Sequence, residues 1–300
     1  MPIRETQRAF LQLHFCVFLW GFTAILGKLI SISSVTLVWW RMLITCICLL
    51  FLKNIFPMLR QIPRRTLLQL TGVGVLVALH WLAFYEAIKL SNASVTLVGI
   101  ATMSFFAAFL EPLIFRKPIK WYEVGLGVVI LPAMVLIVRH LDWSMIDGFL
   151  MGLASSFLGA AFGIMNKKMV EKSDPLLITF VELGSGWLFL SLLIPIFFRD
   201  LMQTDFIPAK KDFIYLIVLS AACTAVPFVL SLKALRHISA FGTLLAINME
   251  PVYGIALAWL ILGENKELSP EFYVGICIIL ITVFTYPLLQ KKFERKPESV

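Results

Sequence analysis

Ten runs of apolar residues follow one another along the chain with short joints between them. They occupy about residues 9–30, 34–53, 66–89, 93–115, 120–139, 146–168, 175–198, 212–235, 239–262 and 271–290. A helix of about 20 apolar residues crosses a bilayer, and it satisfies its own backbone hydrogen bonds while doing so. Only 15% of the residues are charged, against about 25% in soluble domains. The sequence therefore predicts an all-α, polytopic membrane protein with ten transmembrane helices.

Lysine and arginine are distributed unevenly between the two sides of these predicted helices. If the N-terminus is cytoplasmic, 18 of the 26 basic residues fall on the cytoplasmic side, seven fall outside, and Arg41 lies within a span. This asymmetry follows the positive-inside rule and predicts an inner (cytoplasmic) membrane protein of a bacterium with both termini in the cytoplasm. The net charge of +8 is thereby attributed to contact with the lipid bilayer, and no nucleic-acid partner is expected.

An internal repeat appears when the chain is aligned with itself at an offset of 147 residues. Ala78–Lys117 then matches Ala225–Glu264 without a gap. We predict a first five-helix repeat in residues 1–142 and a second in residues 143–300. Five is an odd number, so the second copy enters the membrane from the opposite face. Inverted repeats of this kind build many secondary transporters, whose substrate sites lie where the copies meet.

The ninth apolar run carries Asn248, Glu250 and Pro251 near its middle. A carboxylate at mid-membrane costs about 2.5–3.5 kcal/mol on insertion scales, which indicates a role for Glu250. It either binds a substrate amine or carries a coupling proton; the alternative is a structural acid paired with Arg41. Pro251 has no N–H to donate and interrupts the helix. We expect Asn248 to bond a carbonyl that this interruption frees.

Two further charged residues lie within apolar runs. Arg41 requires a partner or water at this depth, so it either holds a substrate carboxylate or pairs with Glu250 or Glu182. Glu182 is either a site residue or a group that serves helix packing or extends toward the membrane surface. We include Arg41, Glu182, Asn248 and Glu250 among the candidate substrate-binding residues.

Aromatic and histidine side chains complete the candidate substrate-binding set, which adds Trp20, His80, Trp81, Phe106 and Tyr253. His80 either relays protons or is a satisfied hydrogen-bonding group. Tyr253 lies one helical turn beyond Glu250, and Phe106 holds the matching position in the first copy. This pair either lines a cavity or belongs to ordinary interior packing, and the same alternatives apply to Trp81.

Two motifs resemble a known family. Trp20-Gly21-Phe22 followed by Lys28 resembles the start of the EamA family, within the drug/metabolite transporter superfamily. Glu250-Pro251-Val252-Tyr253 followed by Leu262-Gly263-Glu264 resembles the signature of its second half. The resemblance implies a ten-helix carrier with a central cavity that moves small metabolites such as amino acids, nucleobases or sugar derivatives.

The first copy departs from this pattern, because Ser104 stands at the position that matches Pro251. The sequence has no GxxxxGK[ST], HExxH or GxSxG motif, so we expect no ATP hydrolysis, metal, cofactor or enzymatic activity. The preferred function is a secondary transporter, with export as the preferred direction, for small polar or amphipathic metabolites. Alternating access and proton coupling are part of this hypothesis, and the oligomeric state stays open. The alternatives are a membrane-embedded enzyme for lipid-linked substrates, a channel or a scaffold.

Overall fold

The computed structural model describes residues 3–52, 55–138, 142–204, 206–264 and 269–294, and within these ranges it is helical without a β-strand. The α-helices are α1 (Ile3–Leu29), α2 (Ser34–Leu52), α3 (Phe56–Gln61), α4 (Arg64–Leu90), α5 (Ala93–Ile100), α6 (Met103–Phe115), α7 (Trp121–Val138), α8 (Ile146–Met169), α9 (Pro175–Phe197), α10 (Arg199–Thr204), α11 (Lys210–Ser220), α12 (Val226–Leu235), α13 (Ala240–Ile247), α14 (Glu250–Leu257) and α15 (Pro270–Glu294). Single π-turns, Ala221–Ala225 and Ala258–Leu262, follow α11 and α14. The basic residues Lys53, Arg139, Lys266, Arg295 and Lys296, which entered the charge count, lie outside the described residues.

Nine helical segments among the described residues are long and apolar enough to cross a membrane. Three of them, Ala93–Phe115, Lys210–Leu235 and Ala240–Leu262, are each assembled from consecutive shorter helices, and a fourth, Trp143–Met169, joins a 3₁₀ turn to α8. The helix α7 is outside this set because its described apolar part runs only over Trp121–Pro132. The predicted all-α, polytopic class is confirmed over the described ranges, and the count of ten spans stays a prediction.

Two spans are broken at matching positions of the repeat. α5 ends before Ala101, and α13 ends before Asn248, 147 residues later. The second break has a clear cause, because Pro251 lies in the first turn of α14 and cannot continue the hydrogen-bond ladder. The first break has no proline; there Thr102 donates its hydroxyl to the Gly99 carbonyl at 2.7 Å. Each break places a helix N-terminus in the middle of a span.

The two broken spans pack against each other in opposite directions. α5, the first half of one span, contacts α14, the second half of the other. α6 correspondingly contacts α13. First halves against second halves require antiparallel spans, so the matching parts of the two copies are inverted, as predicted.

The first helix of each copy packs against helices of the other copy. α1 of the first copy packs against α12 and α14 of the second. α8, the first helix of the second copy, packs in return against α4 and α5 of the first. α8 and α5 approach each other closely because Gly99 has no Cβ atom. A Cβ at that position would lie only 3.1 Å from the Gly152 Cα atom. Small residues at such positions allow helices to pack tightly in a membrane.

The ends of the spans define two faces. At the N-terminal face, Glu5 of α1 lies 4.0 Å from His237 beyond α12, and Lys168 of α8 donates to the Ile114 carbonyl of α6 at 2.7 Å. At the opposite face, the start of α8 at Gly148 packs against Ser91 beyond α4. The broken spans thus connect the two faces through the centre of the bundle.

Candidate functional site

An open cavity with about 880 Å³ of empty space, including the part open to the surroundings, lies between the two copies. Its aromatic walls are formed by Trp20, Trp81, Phe84, Phe162 and Phe228. Its polar lining consists of Thr23, Arg41, His80, Asn166, Ser231, Thr243 and Glu250. A mostly apolar cavity with a few polar groups at defined places is the usual form of a small-molecule site.

Positions that match in the repeat line this cavity from both copies. The matched pairs, each 147 residues apart, are Trp81 with Phe228, Phe84 with Ser231, Ile100 with Ile247, and Met103 with Glu250. The cavity is therefore surrounded by equivalent positions of the two copies, as expected near a pseudo-twofold axis that relates them. Its chemistry is not symmetric, because Glu250 places a carboxyl group where the first copy has the thioether of Met103.

The guanidinium group of Arg41 is buried at the wall of the cavity, with 2% of the residue exposed. Its Nε donates to Thr224 Oγ1 at 2.9 Å, and its Nη1 donates to the Tyr85 hydroxyl at 2.7 Å. Its Cζ lies 3.7 Å from the centre of the Trp81 ring, within the range of cation–π attraction. These three contacts hold the guanidinium group, and no carboxylate of the described ranges forms an ion pair with it.

Thr224 was not among the residues that the sequence singled out. It lies in the π-turn Ala221–Ala225, where its hydroxyl also donates to the Leu219 carbonyl at 2.6 Å. Pro227 follows this turn and offers no N–H to the helix, so a proline inside an apolar run was the one available signal. Turns of this type re-aim side chains and are frequent at functional sites.

Glu250 is the first residue of α14, at the break in its span. The positive end of the helix dipole favours negative charge at this position, whereas the N–H groups of Val252 and Tyr253 are bonded to the Met249 carbonyl. Within the described part of the chain, no ion pair of 4.0 Å or less joins Arg41 to Glu250 or to Glu182. Arg41 and Glu250 instead line the same cavity at separate places.

Three more residues of the predicted set, Trp20, His80 and Trp81, line the cavity. The His80 Nδ1 atom lies 2.7 Å from the Ser155 carbonyl oxygen and 2.9 Å from its hydroxyl oxygen. This geometry agrees with a satisfied hydrogen-bonding group, which was one of the two alternatives for His80. Trp81 serves as the aromatic face beneath Arg41.

Four residues of the predicted set are absent from the lining: Phe106, Glu182, Asn248 and Tyr253. Phe106 packs edge-on against Phe157, and Tyr253 packs edge-on against Phe18. The expectation that Asn248 bonds a carbonyl freed by the break is wrong: its Nδ2 donates to the Ser104 hydroxyl at 2.8 Å. That bond joins the two copies, since Ser104 and Asn248 lie on different broken spans.

Comparisons with known proteins agree with this architecture. The profile of the EamA-like transporter family matches residues 8–139 and again residues 146–286. Among the solved structures that match, one described as "Crystal structure of protein" has a TM-score of 0.70 and 12% sequence identity, covering 96% of this chain and 99% of that chain. At this identity the likeness concerns the fold alone. A comparison with curated protein sequences gives no match.

Proposed function

Because the chain belongs to the EamA-like transporter family, we propose that it is a secondary carrier for small amphipathic metabolites, with amino acids as the preferred class. Membership in the family makes it a multi-pass membrane transporter of small molecules. The observation that supports the finer proposal is the cavity between the copies, in which repeat-matched positions surround one guanidinium and one carboxyl group. A scaffold requires no such cavity, so the geometry favours transport.

The charges of the cavity suit a zwitterion. Arg41 has a further nitrogen, Nη2, that makes no hydrogen bond to a described residue, and it would bind the substrate carboxylate. Glu250 would bind the ammonium group. Hydrogen bonds to charged groups contribute about 1.5–3 kcal/mol each, so both ends of the substrate would add to its affinity. The rings of Trp20, Trp81 and Phe228 would hold an apolar side chain.

A carboxylate of one broken span bonds the helix start of the other at each face. At the opposite face Glu264 accepts bonds from the Ser94 N–H at 3.0 Å, the Ser94 hydroxyl at 2.6 Å and the Ala93 N–H at 3.2 Å. At the N-terminal face Glu111 accepts one bond from the Phe241 N–H at 2.7 Å. We propose that these contacts act as the two gates of an alternating-access carrier.

The cavity extends from the mid-span charges toward the N-terminal face, since Leu235 and Ala240 are also part of its lining. The stronger gate, at Glu264, closes the opposite face. With the predicted orientation the N-terminal face is cytoplasmic, and we propose that release of the single Glu111–Phe241 bond opens the cavity to the cytoplasm for loading. Loading from the cytoplasm is what the proposed export requires. The ten spans and the two copies, in residues 1–142 and 143–300, belong to the same proposal.

A metabolite profile tests this proposal. Bacterial cells that express the protein, and cells that carry an empty vector, are compared for small molecules released into the medium. We expect one class of zwitterions to accumulate outside only with the protein, and we expect Glu250→Gln to abolish this difference. The control variant Glu171→Gln, at an exposed site beyond α8, retains it. Identical profiles for the wild type and Glu250→Gln, at equal amounts in the membrane, would contradict the proposal.

A further inference from the structure

A second buried carboxyl group lies behind the wall of the cavity. Glu182 of α9 is fully buried, and its Oε2 accepts a hydrogen bond of 3.2 Å from the Asn166 side-chain nitrogen. Two oxygens of this pair, Glu182 Oε1 and Asn166 Oδ1, have no hydrogen-bond partner among the described residues. Buried polar atoms are nearly always paired, so two orphan acceptors on adjacent side chains indicate a missing donor.

No positively charged side chain among the described residues forms an ion pair with Glu182. The helices packed against α9 at this depth are α2, α4 and α12, and their titratable groups are Arg41, Cys46, Cys48, His80, Tyr85 and Lys233. α8 contacts α9 through Asn166, and the two lysines that follow it, Lys167 and Lys168, donate to the Leu235 and Ile114 carbonyls. None of them forms a hydrogen bond or an ion pair with Glu182. Arg41 is bonded to Tyr85 and Thr224, and His80 to Ser155. Arg64 and Arg65 begin α4 about 15 Å along the helix from Gly74, which packs against Glu182.

An isolated carboxylate in such surroundings is strongly disfavoured, because burial removes its hydration without supplying a counter-charge. A bound proton resolves this, since the neutral acid supplies an O–H donor to an adjacent acceptor. A hard metal ion requires about six or more oxygen ligands, whereas the Glu182–Asn166 pair offers two free oxygens. The missing donor is therefore best supplied by a proton bound to the carboxyl group.

Asn166 connects this group to the cavity. It belongs to the lining, whereas Glu182 does not. We propose that Glu182 is the coupling-proton site of the carrier, and that Asn166 positions its carboxyl group and links it to the cavity water. The proton adds to the carboxylate to give the neutral acid and leaves again to water, with no other reactant.

This inference rests on the proposed transport function and divides the work between two carboxyl groups. Glu250 lines the cavity together with Arg41 and is available to the substrate. Glu182 is shielded from the substrate by Asn166. A proton and a substrate can then be bound at the same time, or in exchange, without competing for one oxygen atom.

Infrared difference spectroscopy tests the proton site without a substrate. The purified protein in lipid vesicles is titrated with acid and base, and the C=O stretching band of a protonated carboxylic acid is followed. We expect this band in the wild type and in Glu250→Gln, and its loss in Glu182→Gln, which preserves the shape of the side chain. Glu182→Asp, which retains a carboxyl group, shifts the band. A titrating band that persists unchanged in Glu182→Gln would overturn the proposal.

Asn166→Leu tests the link to the cavity. If Asn166 passes the proton, hydrogen–deuterium exchange at the Glu182 carboxyl group in D₂O, followed through its infrared band, is about tenfold slower in the variant. A merely structural role of Asn166 leaves this exchange rate unchanged. Replacing sodium chloride by N-methylglucamine chloride leaves the band unchanged; a sodium-dependent band would overturn the choice of a proton. If the band is lost in Glu182→Gln but cells with the wild type and cells with the empty vector release the same metabolites, the transport proposal alone is rejected. If the band is lost but Glu182→Gln exports as well as the wild type, the coupling role of this proton is rejected and transport stands.

Discussion

The guanidinium carbon of Arg41 lies 3.7 Å from the centre of the Trp81 ring, on the wall of the cavity between the two copies. A charge at this depth needs compensation, and the ring face supplies part of it in place of a carboxylate. The Thr224 and Tyr85 oxygens supply the remainder through hydrogen bonds from Nε and Nη1. Arg41 is therefore held from three directions.

Replacing Arg41 by Lys tests this arrangement. A lysine ammonium has the same charge but cannot donate from two fixed nitrogens while it stacks on Trp81. Two hydrogen bonds to a charged group contribute about 1.5–3 kcal/mol each, so we expect at least a tenfold loss of transport. The measurement is efflux from vesicles of the metabolite that the profile identifies. Trp81→Phe retains an aromatic face and is expected to retain most of the activity; equal losses in both variants would contradict the geometry.

Of the three charged residues that the sequence proposes for the site, Arg41 and Glu250 line the cavity and Glu182 does not. A polar residue inside an apolar run is energetically costly, which makes Arg41 and Glu250 visible without a structure. Tyr85 and Thr224 were not placed in the predicted set, although they hold Arg41. Their roles depend on contacts between spans distant in the chain and on the π-turn Ala221–Ala225, which no local pattern specifies.

The breaks in the helices are likewise only partly predictable from the local sequence. Pro251 predicts the break in the ninth apolar run, since proline interrupts a helix through its own chemistry. The matching break after α5 has no proline and is stabilised by Thr102 and its tertiary contacts, among them a 2.9 Å bond to Ser156. Whether Asn248 bonds its own helix or the other copy is decided by packing.

Glu264→Ala is expected to weaken the gate at the opposite face. The change removes three hydrogen bonds to Ala93 and Ser94, which shifts the carrier toward the state open on that side. In a background without cysteines, Thr23→Cys places a thiol in the cavity lining. We expect faster labelling of this thiol by a membrane-impermeant maleimide applied from the opposite face. Glu111→Ala, at the other gate, does not accelerate it; acceleration by both variants alike would argue against separate gates.

The bond between Asn248 and Ser104 is expected to stabilise the contact between the copies. Ser104→Ala leaves the Asn248 Nδ2 donor unpaired in a buried position, which costs about 1–3 kcal/mol. The double variant Ser104→Ala with Asn248→Leu removes both partners and is expected to lose less stability than the single variants predict together. Unfolding of the purified protein in detergent, followed by tryptophan fluorescence, measures this coupling. Strictly additive losses would show that the two side chains do not interact.

The last prediction concerns Gly74, where α4 and α9 touch. A Cβ atom at Gly74 would overlap the Glu182 carbonyl oxygen and the Ser185 hydroxyl, so Gly74→Ala must separate the helices. Overpacking of this kind costs about 1–3 kcal/mol, and we expect a lower unfolding midpoint in detergent.

Gly72, two residues earlier on the same helix, provides the matched control. A Cβ there meets no described atom within 4 Å, and alanine is a better helix former than glycine by about 0.8–1.0 kcal/mol. Gly72→Ala is therefore expected to leave the midpoint unchanged or to raise it. Because Gly74 also packs on the backbone of Glu182, Gly74→Ala should disturb the infrared band of that carboxyl group, whereas Gly72→Ala should not. If both variants unfold at the same midpoint, α4 and α9 do not approach each other as closely as the structure requires.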